Sequence, residues 1–143
     1  YALLSGVGGA LIAEKALGAL GGNFWAVAGI GTLVTLSGAT VTIALQTLFG
    51  VIGIGLTLLI FVILGNPSAG GAYQPALLPP FWRALSGALP NGAATDALRR
   101  IVYFGGQGAG HGVAVLAAWI IGGTLVALTA ATVIHRDRQP ALD

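Results

Sequence analysis

The chain has 143 residues, of which 56% are apolar and only 7% charged, with a net charge of +2 and no cysteine. Soluble domains carry roughly 25% charged residues, so this composition argues against a soluble enzyme and for one domain in a bilayer. The missing cysteine excludes disulfides, zinc fingers and thiol catalysis, and the few scattered cations form no patch for nucleic acid.

The charges are unevenly placed. Residues 16–82 contain no Asp, Glu, Lys or Arg, and neither do residues 101–135. Helices in lipid explain such runs, because a central charge costs about 2.5–3.5 kcal/mol on insertion scales. Four spans are expected, over about 2–19, 25–46, 48–65 and 112–134, giving an all-α polytopic membrane protein.

The first run lacks a leading Met and a cleavage signal, and its apolar part is short for a bilayer of about 30 Å. It is read as entered midway, as in the C-terminal part of a longer protein. Glu14 and Lys15 close it as headgroup anchors; neighbours on a helix point about 100° apart, so they do not pair. Residues 18–23 read as a turn, and Phe24 and Trp25 suit an interface. The second span carries Thr32, Thr35, Ala39, Thr42 and Gln46 at 3–4 spacing, hence on one face. That face is either the wall of a solute path or a hydrated subunit interface, or else ordinary packing with hydroxyls bonded back to their own helix. The break at 46–50 is so short that the second and third spans must be antiparallel neighbours.

Residues 66–110 hold five of the six prolines and three of the six basic residues, and no stretch there crosses a membrane. Two short helices fit. Pro79 and Pro80 suit a helix start, with Phe81, Trp82, Leu85, Ala88 and Leu89 on one face until Pro90-Asn91-Gly92 breaks it. A second helix covers about 93–104, with Ala94, Ala97, Leu98, Ile101 and Val102 on its apolar side. Asp96 precedes Arg99 and Arg100 at helix-pairing distance. The expected result is an extramembrane hairpin with a greasy underside, resting on or dipping into the membrane surface. The last span ends at a solvated tail, 135–143.

Other motifs are weak. Gly6/Ala10 and Gly18/Gly22 have the small-xxx-small spacing of membrane packing. The glycine-rich stretch 105–112 fits no GxGxxG register, and Lys15, the single lysine, belongs to no Walker motif, so it reads as a hinge. His111 and His135 sit at opposite ends of one span and cannot share a metal. No catalytic residue, cofactor site or metal site is expected.

Leu48-Phe49-Gly50, then the run from Phe61 through Asn66-Pro67-Ser68-Ala69-Gly70-Gly71, then Leu77-Leu78-Pro79-Pro80-Phe81-Trp82, Leu89-Pro90-Asn91-Gly92-Ala93, Leu98-Arg99 and Tyr103-Phe104 follow in that order. This resembles the C-terminal membrane domain of the phage-infection-protein (YhgE/Pip-like) family, itself similar to type-2 ABC exporter permeases. The resemblance covers about 24–134. It implies a multi-pass protein of the bacterial plasma membrane, in contact with lipid. It also implies a re-entrant hairpin before the last span, a homodimer or heterodimer, and a separate ATPase subunit. In that frame Thr32, Thr35, Thr42 and Gln46 line or pack beside a path, and Phe81, Trp82, Arg83, Arg99 and Arg100 form the outer hairpin. The implied function is a permease-like subunit exporting lipidic, peptide or drug-like molecules; the alternative is a non-transporting scaffold or surface receptor. The resemblance sets the hairpin outside, whereas three loop arginines against Arg136 and Arg138 in the tail lean the other way under the positive-inside rule.

Overall fold

The computed structural model describes residues 1–18, 22–70 and 75–137; positions 19–21 of the expected 18–23 turn and tail positions 138–143 lie outside them. Among the described residues all regular structure is helical. The helices are α1 (Ala2–Leu17), α2 (Phe24–Phe49), α3 (Val51–Ser68), α4 (Pro80–Ala88), α5 (Pro90–Phe104) and α6 (Gly110–Asp137), with a short 3-10 turn at Pro75–Leu77. Phe24–Phe49, Val51–Ser68 and Gly110–Val133 are long and apolar enough to cross a membrane. Only 17–28% of each span is buried inside the chain, and large apolar residues such as Ile52, Ile63, Ile121 and Leu128 face outward. Apolar surface on that scale needs lipid or another apolar partner, so the chain is read as membrane-embedded.

Helix α1 has 16 residues, about 24 Å at 1.5 Å per residue, which falls short of the bilayer core. It lies antiparallel along the first half of α2. Gly6 packs so closely on Ala28 and Thr32 that a methyl group there would meet backbone, and Ala10 is buried against Ala28. The Gly6/Ala10 spacing therefore serves helix packing. Gly18 and Gly22 do not: Gly18 ends α1 in the left-handed conformation, with φ 58°, and Gly22 also has positive φ.

Helix α2 is the hub, touching α1, α3, α5 and α6. It continues to Phe49, and one residue, Gly50, separates it from α3. Gly50 adopts φ 58° and ψ −129°, a conformation open to glycine and costly for other residues. The expected span 25–46 is thus lengthened at both ends and 48–65 shifts by three residues toward the C-terminus, while their antiparallel pairing holds, with Gly53 against Leu45. Helices α2 and α6 run parallel, since Ile30 clusters with Leu116 and Thr40 sits beside Gly123.

Helix α3 was expected to stop at Gly65 before Asn66-Pro67, yet it reaches Ser68. Pro67 lacks an N–H and crowds the carbonyl four residues back. The helix accommodates it by widening into a π segment at Leu59–Leu64 before closing again at Gly65–Ser68. Ser68 is fully buried and its hydroxyl donates to the Leu64 carbonyl at 2.6 Å, which ties the last turn down.

The 66–110 segment departs most from the sequence-based expectation. As expected, α4 stops ahead of Pro90, at Ala88 with Leu89 extended, but Pro90 also opens α5 at its first position, where a missing N–H costs nothing, so α5 starts at Pro90 rather than 93. Its Ala94, Ala97 and Ile101 join Ile30, Ala109 and Leu116 in the main core. Gly112 of α6 lies against the Ala93 carbonyl, so closely that a Cβ there would be 2.5 Å from that oxygen. Helix α5 is therefore a wall of the bundle and not a surface helix. Ser86, in α4, is likewise buried, at 5% exposure. Gly105 ends α5 in the left-handed conformation, and the Gly106 N–H donates to the Arg100 carbonyl at 2.8 Å. Residues 105–109 form a turn into α6, which continues past His135 to Asp137.

Candidate functional site

The elbow between α4 and α5, at Leu89, is held from both sides. On one side the Asn91 Nδ2 donates to the Phe61 carbonyl at 3.0 Å. A π segment tilts carbonyls away from their usual partners, and a side chain that reaches one restores a bond. Gly65 lets Asn91 come this close: a Cβ there would stand 2.8 Å from Asn91 Nδ2. On the other side the Trp119 Nε1 donates to the Ala88 carbonyl at 2.8 Å. Phe61 and Trp119 themselves meet edge-on, with ring centroids 6.3 Å apart. Phe61 is about 10 Å from the end of α3 and Trp119 about 13 Å from the start of α6, at 1.5 Å per residue. Replacing Trp119 with Phe keeps the ring contact and removes the donor; the expected loss is about 0.5–1.5 kcal/mol in thermal unfolding in detergent.

The candidate residues of the hairpin sit on its upper part. The Arg83 guanidinium donates to the Ala76 and Leu78 carbonyls at 2.9 and 3.1 Å, fixing the start of α4 to the preceding turn. Phe81 is 62% exposed, and Trp82 is half-buried and touches it edge-on. Arg99 donates to the Gly70 carbonyl. Arg100 Nε donates to Asp96 Oδ2 at 2.7 Å, the expected helix pair. Its two side chains are 43% and 38% exposed, so the pair contributes at most about 1 kcal/mol. Arg99, Arg100 and Asp96 border a cleft of about 520 Å³ with Phe104, Gln107 and Gly108.

The threonine face of α2 divides. Thr32 packs at the α1 contact. The hydroxyls of Thr32, Thr35 and Thr42 donate to Ala28, Gly31 and Gly38 carbonyls at 2.8, 2.9 and 2.7 Å. This back-bonding leaves methyl groups to face the neighbours. Gln46 is exposed near the α2–α3 turn. The four residues share one helix face, and of them Thr32 also borders the groove lined by Leu3 and Ile101. Lys15 is exposed, while Glu14 is half-buried with its Oε2 enclosed and unpartnered among the described residues. His111 is exposed. Among the described residues no three His, Cys, Asp or Glu side chains cluster.

Sequence reasoning missed Asn91 and Trp119, which hold the elbow. The available signal was Asn91 directly after a helix-opening proline, where a short amide is free to point away from its own helix. Compared with known proteins, the chain matches no family model, no curated protein and no solved structure.

Proposed function

We propose that this chain is a permease-like membrane subunit of an export system for lipidic, peptide or drug-like molecules, working as a dimer with a separate ATPase. The observation that supports this reading is the anchoring of the Leu89 elbow to Phe61 and Trp119, two or more turns inside apolar helices. A hairpin held at that depth is re-entrant, the arrangement implied by the resemblance to type-2 exporter permeases. In this view α1 is a fourth membrane helix, and the path lies between two copies. Transport then comes from rocking of one bundle against the other, with the hairpin moving as part of the rigid body.

The test is purification in mild detergent from the native membrane. An ATP-hydrolysing subunit should accompany the chain, and its hydrolysis rate should change on Trp82→Ala. A chain that purifies alone, or with surface or secretion proteins, takes the transport reading down. One observation favours that second, scaffold reading: the Thr32, Thr35 and Thr42 hydroxyls are satisfied within α2, so this face needs no water. Under it, Thr35→Leu and Thr42→Leu leave function intact.

Orientation is tested separately. The helix directions put Lys15 at the same end as Arg83, Arg99 and Arg100, opposite Arg136, which strengthens the pull of that end toward the cytoplasm. The resemblance puts it outside, and we adopt that placement. Ser86 is too buried to report on it; exposed Leu77 and Val51 mark the two ends. Labelling of Leu77→Cys on intact cells by an impermeant thiol reagent supports the outer placement, and labelling of Val51→Cys instead inverts it.

A further inference from the structure

Two depressions flank the C-terminal half of α5. The first is the charged cleft of about 520 Å³ between α5 and the 105–109 turn. The second is an apolar groove of about 460 Å³, lined among others by Leu3, Gly29, Leu33, Ile101 and Val113. Ile101 borders the groove and Phe104 the cleft, and residues three apart are neighbours on a helix surface. The two depressions therefore adjoin across one edge of α5.

The charged cleft holds two guanidinium groups and one carboxylate, a formal charge of +1. Asp96 engages Arg100 through Nε, and among the described residues that is the one bond of its side chain. Gly108, with φ +80°, lies beside the same guanidinium, so that a Cβ there would stand 2.5 Å from Arg100 Nη1. Asp96 thus orients the arginine beside the 105–109 turn. Guanidinium groups bind phosphate through paired N–H donors. The cleft lies beside Gly108, two residues before α6 begins, which is the level where an apolar span meets headgroups. Tyr103 and Phe104 are exposed there, as aromatic residues are at membrane interfaces.

We propose that this pair of depressions is a binding site for one anionic phospholipid, with its phosphate in the Asp96–Arg99–Arg100 cleft and an acyl chain in the Ile101–Val113 groove. The site rests on membrane embedding and not on transport. A phosphodiester with an uncharged headgroup, such as phosphatidylglycerol, neutralises the cleft. Phosphatidylcholine brings a cation to two arginines and is disfavoured. Inorganic phosphate shares the head chemistry but cannot use the groove.

Native mass spectrometry of the whole chain released from detergent, loaded with equal phosphatidylglycerol and phosphatidylcholine, tests this. Retention should favour phosphatidylglycerol by roughly fivefold, the preference expected of one net surface cation. Arg100→Gln should bring the ratio close to one. Gly29→Leu has open space for its side chain and fills the groove; it should lower retention of both lipids while keeping their ratio. The two variants lie on different helices, so a folding failure in one leaves the other informative. Equal retention by the unaltered chain overturns the proposal. Loss of phosphatidylglycerol to millimolar inorganic phosphate, with no effect of Gly29→Leu, marks a site for free phosphate and overturns the lipid.

Discussion

Gly112→Leu is expected to destabilise the chain by about 3 kcal/mol, the largest loss for any one substitution considered. At this position α6 crosses α5 with backbone near backbone: an added Cβ would lie 2.5 Å from the Ala93 carbonyl and 2.9 Å from Ala97 Cβ. Neither atom can swing aside as a long side chain can. The two helices must separate, and separation opens the core at Ala97 and Leu116, both fully buried. Overpacking a close-packed interior costs about 1–3 kcal/mol and occasionally more, and here backbone is the obstacle. Gly122→Leu is the control. It lies on the same helix with nothing near its missing Cβ, so its effect should stay within about 0.5 kcal/mol. Thermal unfolding of both variants in the same detergent separates helix crossing from any general effect of glycine loss.

Asn91→Ala is expected to cost about 1–3 kcal/mol, the penalty for stranding a part-buried carbonyl inside an apolar span. The Phe61 carbonyl belongs to a π segment created ahead of Pro67, and water is scarce at that depth. Removing the amide therefore takes away the bond and puts no solvent in its place. The loss should exceed that of Trp119→Phe, whose acceptor at Ala88 is on an exposed residue. A reversed order would mean that water reaches the elbow.

Much of the bundle was legible in the sequence. The charge-free runs located the apolar helices, Pro80 marked the start of α4, and Gly105 marked the end of α5. The Asp96–Arg100 pair followed from helix spacing. What failed did so for physical reasons. Pro90 ends α4 as expected, but proline is also a good first helical residue, and local sequence does not say that α5 starts at Pro90 itself rather than after Gly92. Pro67 looked like an ending because a π segment has no sequence signature of its own. Helix α5 looked like a surface helix because its inner face is built from alanine, which carries little hydrophobic signal yet allows the closest helix approach. The threonine face was ambiguous for a related reason. A 3–4 spacing of hydroxyls is the same whether they meet solute or their own carbonyls, and only the hydrogen bonds distinguish the two. The place of Asn91 after Pro90 was a signal, but its partner was not legible because it lies 30 residues away in sequence.

The depth of the Leu89 elbow can be measured directly. Gly87 is exposed, with open space beyond its Cα, so Gly87→Cys can carry a nitroxide. Leu77 marks the end of the bundle and Ile121 its lipid-facing middle. In bilayers, collision with oxygen reports the apolar interior and collision with a water-soluble nickel chelate reports the aqueous phase. The expected result is that the Gly87 label follows Ile121, rich in oxygen contact and poor in nickel, while Leu77 shows the reverse. A Gly87 label as open to nickel as Leu77 would place the hairpin on the membrane surface and contradict a re-entrant element.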